Sequence, residues 1–412
     1  MRSTAVLVCF SVVTMIAFGC AEETVTVARP SVGHAVVEIA SPAGAGAAEP
    51  FLFAAKDSVL LTWLEPVAGT DRTALRFARY RAGKWSAPRG IVERNDLFVN
   101  WADLPSIAED ARGVLFAQWL QKGGTGPYAY DVRMAVSSNG GETWSKSFLL
   151  NRDGKAAEHG FASLVPLPGE GVGVTWLDGR NMTAGDGDEE GAGDMTLRYA
   201  TVDAAGTIAA EVVLDERTCE CCATGMAVTT SGPVVVYRDR SADDVRDIAY
   251  VRRSGNGWSA PRTLHADDWK IVGCPVNGPQ IDAIGNRAAL AWFTAAGDQR
   301  RASVALSRDG GMTFGAPIKI DDGNPAGRVD VVLLNAETAL VTWLEQTTTG
   351  AEIRARRVTF DGKAGPSQKI ADSAAERTAG FARVARTGND VFFTWTEQSA
   401  ASKQVHVAKG TF

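Results

Sequence analysis

The chain has 412 residues, of which 45% are hydrophobic and 22% charged; this is enough apolar material for a sizeable core and excludes a disordered chain. Lys and Arg number 42 against 48 Asp and Glu, for a net charge of -6, so nucleic acid is not expected as a partner. With 43 Gly, 16 Pro and 11 Trp and no long helical pattern, the composition predicts short strands joined by many turns.

The N-terminus has the features of an export signal. Arg2 precedes an apolar run over residues 5–18, which is too short to span a membrane and is typical of a secretory signal peptide. The sequence Ala-Phe-Gly-Cys that ends at Cys20 resembles a bacterial lipobox, in which the Cys is acylated and becomes the new N-terminus. We therefore expect a signal peptide over 1–19, a lipidated Cys20, a tether over 20–34 and export to the bacterial cell envelope, at the outer membrane. An ordinary cleaved signal is the alternative.

An apolar strand that ends in an aromatic residue recurs seven times along the chain. These aromatic residues follow one another at intervals of 51 to 61 residues and are Trp63, Trp119, Trp176, Tyr237, Trp292, Trp343 and Trp395. A short apolar strand precedes each of them, an alternating strand follows, and a turn with an outer strand completes six of the seven units. Four antiparallel strands in a unit of about fifty residues indicate a β-propeller blade.

The seventh unit ends at Phe412 and leaves no room for an outer strand. The apolar segment 35–39, near the start of the mature chain, is a strand without a sequence neighbour to pair with. We predict that it lies beside residues 403–409 and closes the ring, because closure removes exposed strand edges. The sequence thus predicts an all-β fold, a single propeller of seven four-stranded blades over 35–412, with six blades as the alternative.

Two turns share a recognisable motif. Residues 137–144 (Ser-Ser-Asn-Gly-Gly-Glu-Thr-Trp) and 307–314 (Ser-Arg-Asp-Gly-Gly-Met-Thr-Phe) resemble the Asp-box, Ser-x-Asp-x-Gly-x-Thr-Trp, of sialidases and related BNR-repeat proteins. In such a turn Asn139 or Asp309 accepts hydrogen bonds from its own backbone, and Gly supplies a positive φ. The resemblance implies a sialidase-like propeller, with the boxes on the face opposite the active site.

The loops between second and third strands and the blade-to-blade connections lie on that opposite face. Two positions after the repeat aromatics stand Glu65, Gln121, Asp178, Asp239, Thr294, Glu345 and Glu397. The same loops and connections contribute Trp101, Asp103, His159, Arg180, Arg238, Arg301, Arg328 and Arg377. This pattern predicts a face rich in Arg and carboxylate groups, for which a structural ion network is the alternative.

A sialidase-like site binds the substrate carboxylate with three Arg, and it cleaves with a Tyr nucleophile, a Glu that activates it and an Asp acid. The ligand-binding candidates on this face are Arg180, Arg238, Asp239, Arg301 and Arg328. The catalytic candidates are Asp178 or Asp103 as the acid and Tyr130 as the nucleophile, although Tyr130 has no evident Glu partner in the sequence. Residues 184–194 form an acidic, Gly-rich loop that we expect to be solvated.

Six Cys are present, and two of them, Cys9 and Cys20, fall in the N-terminal segment. The others are Cys219, Cys221, Cys222 and Cys274, in the connections that enter blades four and five. In an exported protein an even set of four predicts two disulfides. A bond between the adjacent Cys221 and Cys222 would be strained, so we expect Cys274 to pair with one of them.

The sequence leaves three functions open. The first is a lipid-anchored, sialidase-like propeller that binds a glycan or other anionic ligand and acts as an exo-sialidase-like glycoside hydrolase if its catalytic candidates converge. The second is a non-catalytic envelope scaffold for protein partners. The third is a metal-handling protein that uses the four Cys, with His159 or His265 as an added ligand, for a soft metal ion. No other cofactor is expected, and we expect a monomer that contacts the membrane through its lipid anchor alone.

Overall fold

Seven antiparallel sheets contain almost all of the regular structure in the computed structural model. The model describes Met1 and residues 35–169, 171–183, 193–255, 257–398 and 402–412, and residues 35–412 form one unit. The predicted signal peptide, the lipidation site Cys20 and the tether lie outside the described residues, as does most of the acidic loop over 184–194.

Each sheet is one blade. Strand β1 spans Val37–Ile39. Blade 1 contains β2 (Ala48–Ala55), β3 (Ser58–Pro66), β4 (Thr73–Arg81), β5 (Lys84–Trp85) and β6 (Arg89–Arg94), and blade 2 contains β7 (Ser106–Glu109), β8 (Leu115–Lys122), β9 (Tyr130–Ser137) and β10 (Phe148–Leu149). Blade 3 contains β11 (His159–Pro166), β12 (Val172–Asp178), β13 (Met195–Val202) and β14 (Val212–Thr218), and blade 4 contains β15 (Gly225–Thr229), β16 (Gly232–Arg238), β17 (Ile248–Ser254), β18 (Gly257–Trp258) and β19 (Arg262–Thr263). Blade 5 contains β20 (Gln280–Ile284), β21 (Arg287–Thr294), β22 (Arg301–Ser307) and β23 (Ile318–Lys319), blade 6 contains β24 (Pro325–Asn335), β25 (Thr338–Gln346), β26 (Ala351–Thr359) and β27 (Ala364–Ser373), and blade 7 contains β28 (Arg383–Thr387), β29 (Asp390–Gln398) and β30 (Lys403–Thr411).

The predicted seven-bladed ring is confirmed, and the six-bladed alternative is wrong. Blades 1 and 4 have an interrupted outer strand, so that β5 and β6 both pair with β4, and β18 and β19 both pair with β17. Strand β1 pairs antiparallel with β30, with Val37 opposite Lys409 and Ile39 opposite Val407. The N-terminal strand therefore completes blade 7, as predicted. Apart from the strands, Ala296–Asp298 forms a 3-10 helix, and no described helix is long and apolar enough to cross a membrane.

The second strand of each blade is buried along most of its length because neighbouring blades cover it on both sides. In β12 every residue is buried, whereas the outer strand β27 is part exposed along its length. The repeat aromatics lie between blades: Trp176 packs with Phe116 and Met134 of blade 2, and Trp63 packs with Phe392 of blade 7. The core is thus a series of inter-blade layers that runs around the ring.

Both Asp-box turns have the hydrogen bonds that the motif predicts. The Ser307 hydroxyl accepts the Gly311 N–H (2.9 Å), and Asp309 Oδ1 accepts the Thr313 N–H (2.9 Å). In the other box the equivalent bonds run from Gly141 to Ser137 and from Thr143 to Asn139. Gly141 has φ 83°, and a Cβ there would lie 2.2 Å from the Phe77 ring of blade 1, so that position admits Gly alone.

Candidate functional site

The end of the ring opposite the Asp-box turns is formed by the second-to-third-strand loops and the blade-to-blade connections. We call it the connection face. Behind it, the first strands of all seven blades line a central cavity of about 510 Å³ whose polar residues include Asp103, Asp282, Asp330 and Arg383. The predicted site residues and the Cys cluster lie at strand ends or connections on this face.

A bulge recurs where the first strand of a blade leaves the connection face. The register of β2, β11 and β24 against the second strand shifts at equivalent positions, and the bulged residues are Glu49 (φ 53°), Phe161 (φ 52°) and Arg328 (φ 57°). A bulge bends the strand and redirects its backbone groups. At blade 3 it turns the Phe161 N–H toward the Asp103 carboxylate of blade 2.

The Asp103 carboxyl group has the protonation behaviour of a general acid. It is 4% exposed, borders the central cavity and accepts the Phe161 N–H. Burial raises the pKa of Asp103 to about 7, against the opposing effect of that hydrogen bond. A carboxyl group with a pKa near neutrality is able to donate a proton at physiological pH.

Tyr130 has the carboxylate partner that its sequence neighbours do not reveal. Its hydroxyl donates to Glu158 Oε1 at 2.5 Å, and burial raises the pKa of Glu158 to about 7 and that of Tyr130 well above its ordinary value. Asp103 lies close by, since a Cβ on Gly160 would be 2.3 Å from Asp103 Oδ2 and 3.1 Å from the Tyr130 ring. The Tyr130 side chain is 1% exposed and stacks on Phe98 at 4.2 Å between ring centroids.

Glu158 was missed because Tyr130 and Glu158 are far apart in sequence and belong to different blades. The signal available was its position: Glu158 immediately precedes His159 at the entry to blade 3, and a closed ring brings every blade entry to the connection face. A parallel bridge between Tyr130 and Glu158 sets the two side chains beside each other.

Asp178 and Arg180 form an ion network rather than an open pair. Asp178 is fully buried and accepts from Trp176 Nε1 (2.8 Å) and Arg180 Nη2 (2.6 Å). Burial favours the neutral carboxyl, but the bonds from Arg180 and Trp176 and the nearby His159 ring lower the pKa of Asp178. Arg180 also contacts Glu211 at 3.0 Å and Asp153 at 3.6 Å. Asp153, His159 and Asp178 are close enough together to hold a cation. The Arg180 guanidinium already supplies a positive charge to this group.

Arg238 and Arg328 join blades through backbone carbonyls. Arg238 is 1% exposed and donates to the carbonyls of Asn277, Arg246 and Phe293 at 2.6–3.1 Å. Arg328 is 9% exposed and donates to the carbonyls of Val276 (2.7 Å) and Arg377 (2.6 Å). Burial lowers the pKa of Arg328 to about 10. These contacts favour a structural role over the predicted ligand binding.

Asp239 and Arg301, the remaining ligand-binding candidates, do not border the central cavity. Burial and the neighbouring Asp215 raise the pKa of Asp239 to about 6, and Asp239 Oδ1 accepts the Arg240 N–H at 2.7 Å. The Arg301 side chain is 44% exposed, and its nearest carboxylate is Asp267 at 3.7 Å. Arg238 and Arg328 share Asn277 as a partner, whereas Arg180 and Arg301 pair with separate carboxylates, and the ligand-binding role of these residues stays a prediction.

Two arginines and two aromatic residues form a cluster at the connection face. Trp101 and Phe381 pack with ring centroids 5.5 Å apart, and the Arg328 guanidinium lies 4.2 Å above the Phe381 ring. Arg377 is exposed, with its guanidinium 6.0 Å from the Trp101 centroid and its Nη2 donating to the Cys274 carbonyl at 2.5 Å. We call these four residues, Trp101, Arg328, Arg377 and Phe381, the mouth cluster.

The four cysteines of the propeller are free thiols, so the predicted disulfides are absent from the structure. Cys219 Sγ lies 3.2 Å from Cys222 Sγ and 3.9 Å from Cys221 Sγ, distances well beyond an S–S bond of about 2.05 Å. The Cys274 thiol contacts that of Cys221. The two connections therefore bring four sulfur atoms together, as their shared face predicts.

The thiols of this cluster have unequal proton affinities. Burial raises the pKa of Cys219 to about 11, and hydrogen bonding to Cys219 raises that of Cys221. Burial alone would also raise the pKa of Cys222, but hydrogen bonds from the other two thiols, the Arg238 charge and the Asn277 N–H hold it well below its ordinary value. These contacts favour the thiolate form at Cys222 over the other thiols of the group.

The histidines proposed as added ligands lie elsewhere. His159 is fully buried, and its ring nitrogens contact the Tyr130 carbonyl (3.1 Å) and Asp153 Oδ2 (3.2 Å). His265 pairs with Asp267 at 3.2 Å. The sulfur cluster therefore consists of thiols without either imidazole.

No family model and no curated protein matches the chain. Among solved structures it is similar to an ulvan lyase of polysaccharide lyase family PL25, bound to -[GlcA(1-4)Rha3S]-, with a TM-score of 0.56 and 12% identity over 90% of this chain and 95% of that one. It is also similar to the polysaccharide lyase Uly1, with a TM-score of 0.52 and 10% identity over 88% and 90%. The NanB sialidase of Streptococcus pneumoniae aligns over 91% and 94%, with a TM-score of 0.46 and 10% identity.

At these identities the likeness concerns the fold alone. The two polysaccharide lyases, whose TM-scores exceed 0.5, support the β-propeller fold of this chain.

Proposed function

We propose that the protein binds an anionic saccharide at the mouth cluster. The observation that carries the proposal is the exposed Arg377 guanidinium beside the Trp101 ring, 6.0 Å from its centroid. An indole face packs against the apolar face of a sugar, and a guanidinium pairs with its carboxylate or sulfate through two parallel N–H donors. The ligand bound to the ulvan lyase is a chain of glucuronate and sulfated rhamnose, which is the chemical class that such a pair would recognise.

The cluster is fixed in place before any ligand arrives. The Arg328 carbonyl contacts and the Arg377 bond to Cys274 tie two blade connections together. Because these side chains are already ordered, little conformational entropy is lost on binding. A preformed site of this kind suits a rigid, charged ligand.

The proposal is tested by titrating three oligosaccharides into the protein and measuring heat. The three are sialylated, glucuronate-containing and neutral, and we expect binding of one or both anionic sugars. Arg377→Ala should weaken that binding by more than tenfold, because a charge-assisted hydrogen bond contributes about 1.5–3 kcal/mol.

The matched control is Arg89→Ala. Arg89 is exposed and donates to one backbone carbonyl, that of Gly140, as Arg377 does to Cys274, but it lies beside an Asp-box turn at the other end of the ring. It should leave the affinity unchanged. Equal binding of the neutral sugar, or equal losses in both variants, would refute the proposal.

Cleavage is a second candidate function, favoured by the hydrogen bond between Tyr130 and Glu158. Tyr130 would attack the anomeric carbon as Glu158 takes its proton, Asp103 would protonate the leaving oxygen, and water would then release the sugar. The Tyr130 hydroxyl group belongs to a side chain that is 1% exposed, so binding is the function that the geometry supports better. A fluorogenic sialoside turned over equally by the wild type and Tyr130→Phe would eliminate this candidate.

The proposed location is the outside of the cell envelope, with acylated Cys20 as the anchor and residues 20–34 as the tether. The Cys20 lipobox resemblance supports this location. A propeller held at the envelope surface would present its connection face to extracellular polysaccharide.

A further inference from the structure

The thiol cluster has a geometry that glycan binding does not require. Cys219, Cys221 and Cys222 follow β14 and enter blade 4, and their Sγ atoms all lie within 4.8 Å of one another. Cys274, from the next blade connection, adds a fourth thiol in contact with Cys221. Three sulfur donors from one chain segment are thereby mutually close, and a fourth from a separate segment contacts one of them.

The cluster faces buried positive charge. The Arg246 side chain is fully buried, and its Nη1 lies 3.3 Å from Cys219 Sγ and 2.7 Å from Glu220. Its Nε and Nη2 atoms have no hydrogen-bond partner among the described residues. The two carboxylate neighbours of this buried guanidinium, Glu220 at 2.7 Å and Asp244 at 3.9 Å, are both shared with Arg240, so further negative charge nearby would be favourable. Sulfur atoms held as thiolates would supply it.

The sulfur separations fit coordination by one ion. A tetrahedral site with metal–sulfur bonds of about 2.3 Å has sulfur atoms about 3.8 Å apart. The measured separations of 3.2 Å and 3.9 Å fall on either side of that value. Pairwise disulfides would use the same four sulfurs, but the three from one connection stand mutually close, as ligands of a common centre do.

The donor type selects the ion. Thiolates prefer thiophilic ions such as Zn²⁺ and Cu⁺ over Mg²⁺ or Ca²⁺, which require oxygen ligands. The neighbouring carboxylate Glu220 is already paired with Arg240 and Arg246. Cys274 is exposed and Cys221 half-buried, so the site has a route by which an ion enters.

We propose that Cys219, Cys221, Cys222 and Cys274 bind one thiophilic d10 metal ion, Zn²⁺ or Cu⁺. Such a site would also fix the connection that contains Cys274, whose carbonyl accepts the Arg377 bond. Metal binding is independent of the saccharide proposal, and each can fail without the other.

The experiment titrates reduced, metal-free full-length protein separately with Zn²⁺ and with Cu⁺, each against a competing chelator. One ion should bind per chain with a Kd below micromolar for at least one of the two. Co²⁺ should give the intense sulfur-to-metal charge-transfer absorption of thiolate coordination. A bound ratio near zero for both ions, or absorption without charge-transfer bands, would overturn the proposal.

Two variants and a control locate the ion. Cys222→Ser should weaken binding at least a hundredfold, and Cys274→Ser, which alters an exposed residue and spares the core, should weaken it at least tenfold. Cys20→Ser makes the same chemical change outside the cluster and should have no effect. Unchanged affinity in Cys274→Ser, or a Cys219–Cys222 disulfide detected by mass spectrometry in the metal-loaded protein, would also refute the site.

Discussion

Three aspartates, two on first strands and one shortly before a first strand, each join one blade to the next by one hydrogen bond. In each case the carboxylate of one blade accepts an N–H of the following blade, and the pairs are Asp103 with Phe161, Asp282 with Leu333 (2.7 Å) and Asp330 with Val384 (3.0 Å). Burial raises the pKa of all three carboxyl groups. These three hydrogen bonds between blades are therefore accepted by carboxyl groups whose protonated form is favoured by burial.

This arrangement makes the free energy of unfolding depend on pH through Asp103. The folded state keeps the Asp103 proton up to a pH of about 7, while the unfolded chain releases it near 3.8. Stability from this group is present below the unfolded pKa and is lost as the pH rises to about 7. Asp103→Asn should reduce the loss between pH 4 and pH 8 by up to about 4 kcal/mol, at about 1.4 kcal/mol per pKa unit. Urea unfolding at several pH values measures it, and parallel curves for both proteins would contradict it.

At the scale of the strand, the acid two positions after a repeat Trp has a structural use. The indole N–H donates to that acid in three blades: Trp63 to Glu65 (2.7 Å), Trp176 to Asp178 (2.8 Å) and Trp343 to Glu345 (2.7 Å). Where Gln121 replaces the acid, the Trp119 indole N–H has no partner among the described residues. The acid therefore caps the indole at the end of the second strand.

Glu345→Ala should destabilise the protein by about 2–4 kcal/mol. The change leaves the buried Trp343 N–H without its acceptor, at about 1–3 kcal/mol, and removes the part-buried bond from the Asn324 N–H, at about 1 kcal/mol. Glu397→Ala is the control, because Glu397 occupies the same repeat position but is 63% exposed and pairs with the His406 ring at 2.8 Å. It should cost less than about 1 kcal/mol. Equal shifts of the urea midpoint would show that the cap does not stabilise the strand end.

The elements were predictable from the sequence to the extent that they follow from periodicity. The seven aromatic residues predicted the number of blades. The seventh unit has no room for an outer strand before Phe412, and this predicted that the segment with Ile39 pairs with the strand that contains Val407. The sequence could place Tyr130 and Glu158 on the same face but could not pair them, because the pairing depends on the side-by-side placement of two blades. The same holds for Arg238, whose sequence position is that of a ligand-binding residue and whose side chain is buried against carbonyls.

For the molecule as a whole, the anchor is a separable part. If Cys20 is acylated, Cys20→Ala should move the protein from the membrane fraction to the soluble fraction, because the acyl chains are its expected hold on the membrane. Cys274→Ala changes another cysteine outside the lipobox and should stay with the membrane. Cell fractionation followed by immunoblotting measures both. Membrane association that persists in Cys20→Ala would refute the anchor.

The pairing of β1 with β30 also sets the order in which the molecule is completed. Val37 pairs with Lys409, so the strand that precedes all the others of the propeller cannot pair until the strand that follows them is present. Contacts between such distant positions form slowly, and until then blade 7 exposes an unpaired edge that invites association with other chains. Once the strand docks, Val36 contacts Gly410 and the two ends of the propeller adjoin. A short linker from Phe412 to Ala35, with new ends cut in the exposed loop at Gln299, would therefore give a circular permutant whose ring closes without a free terminal strand.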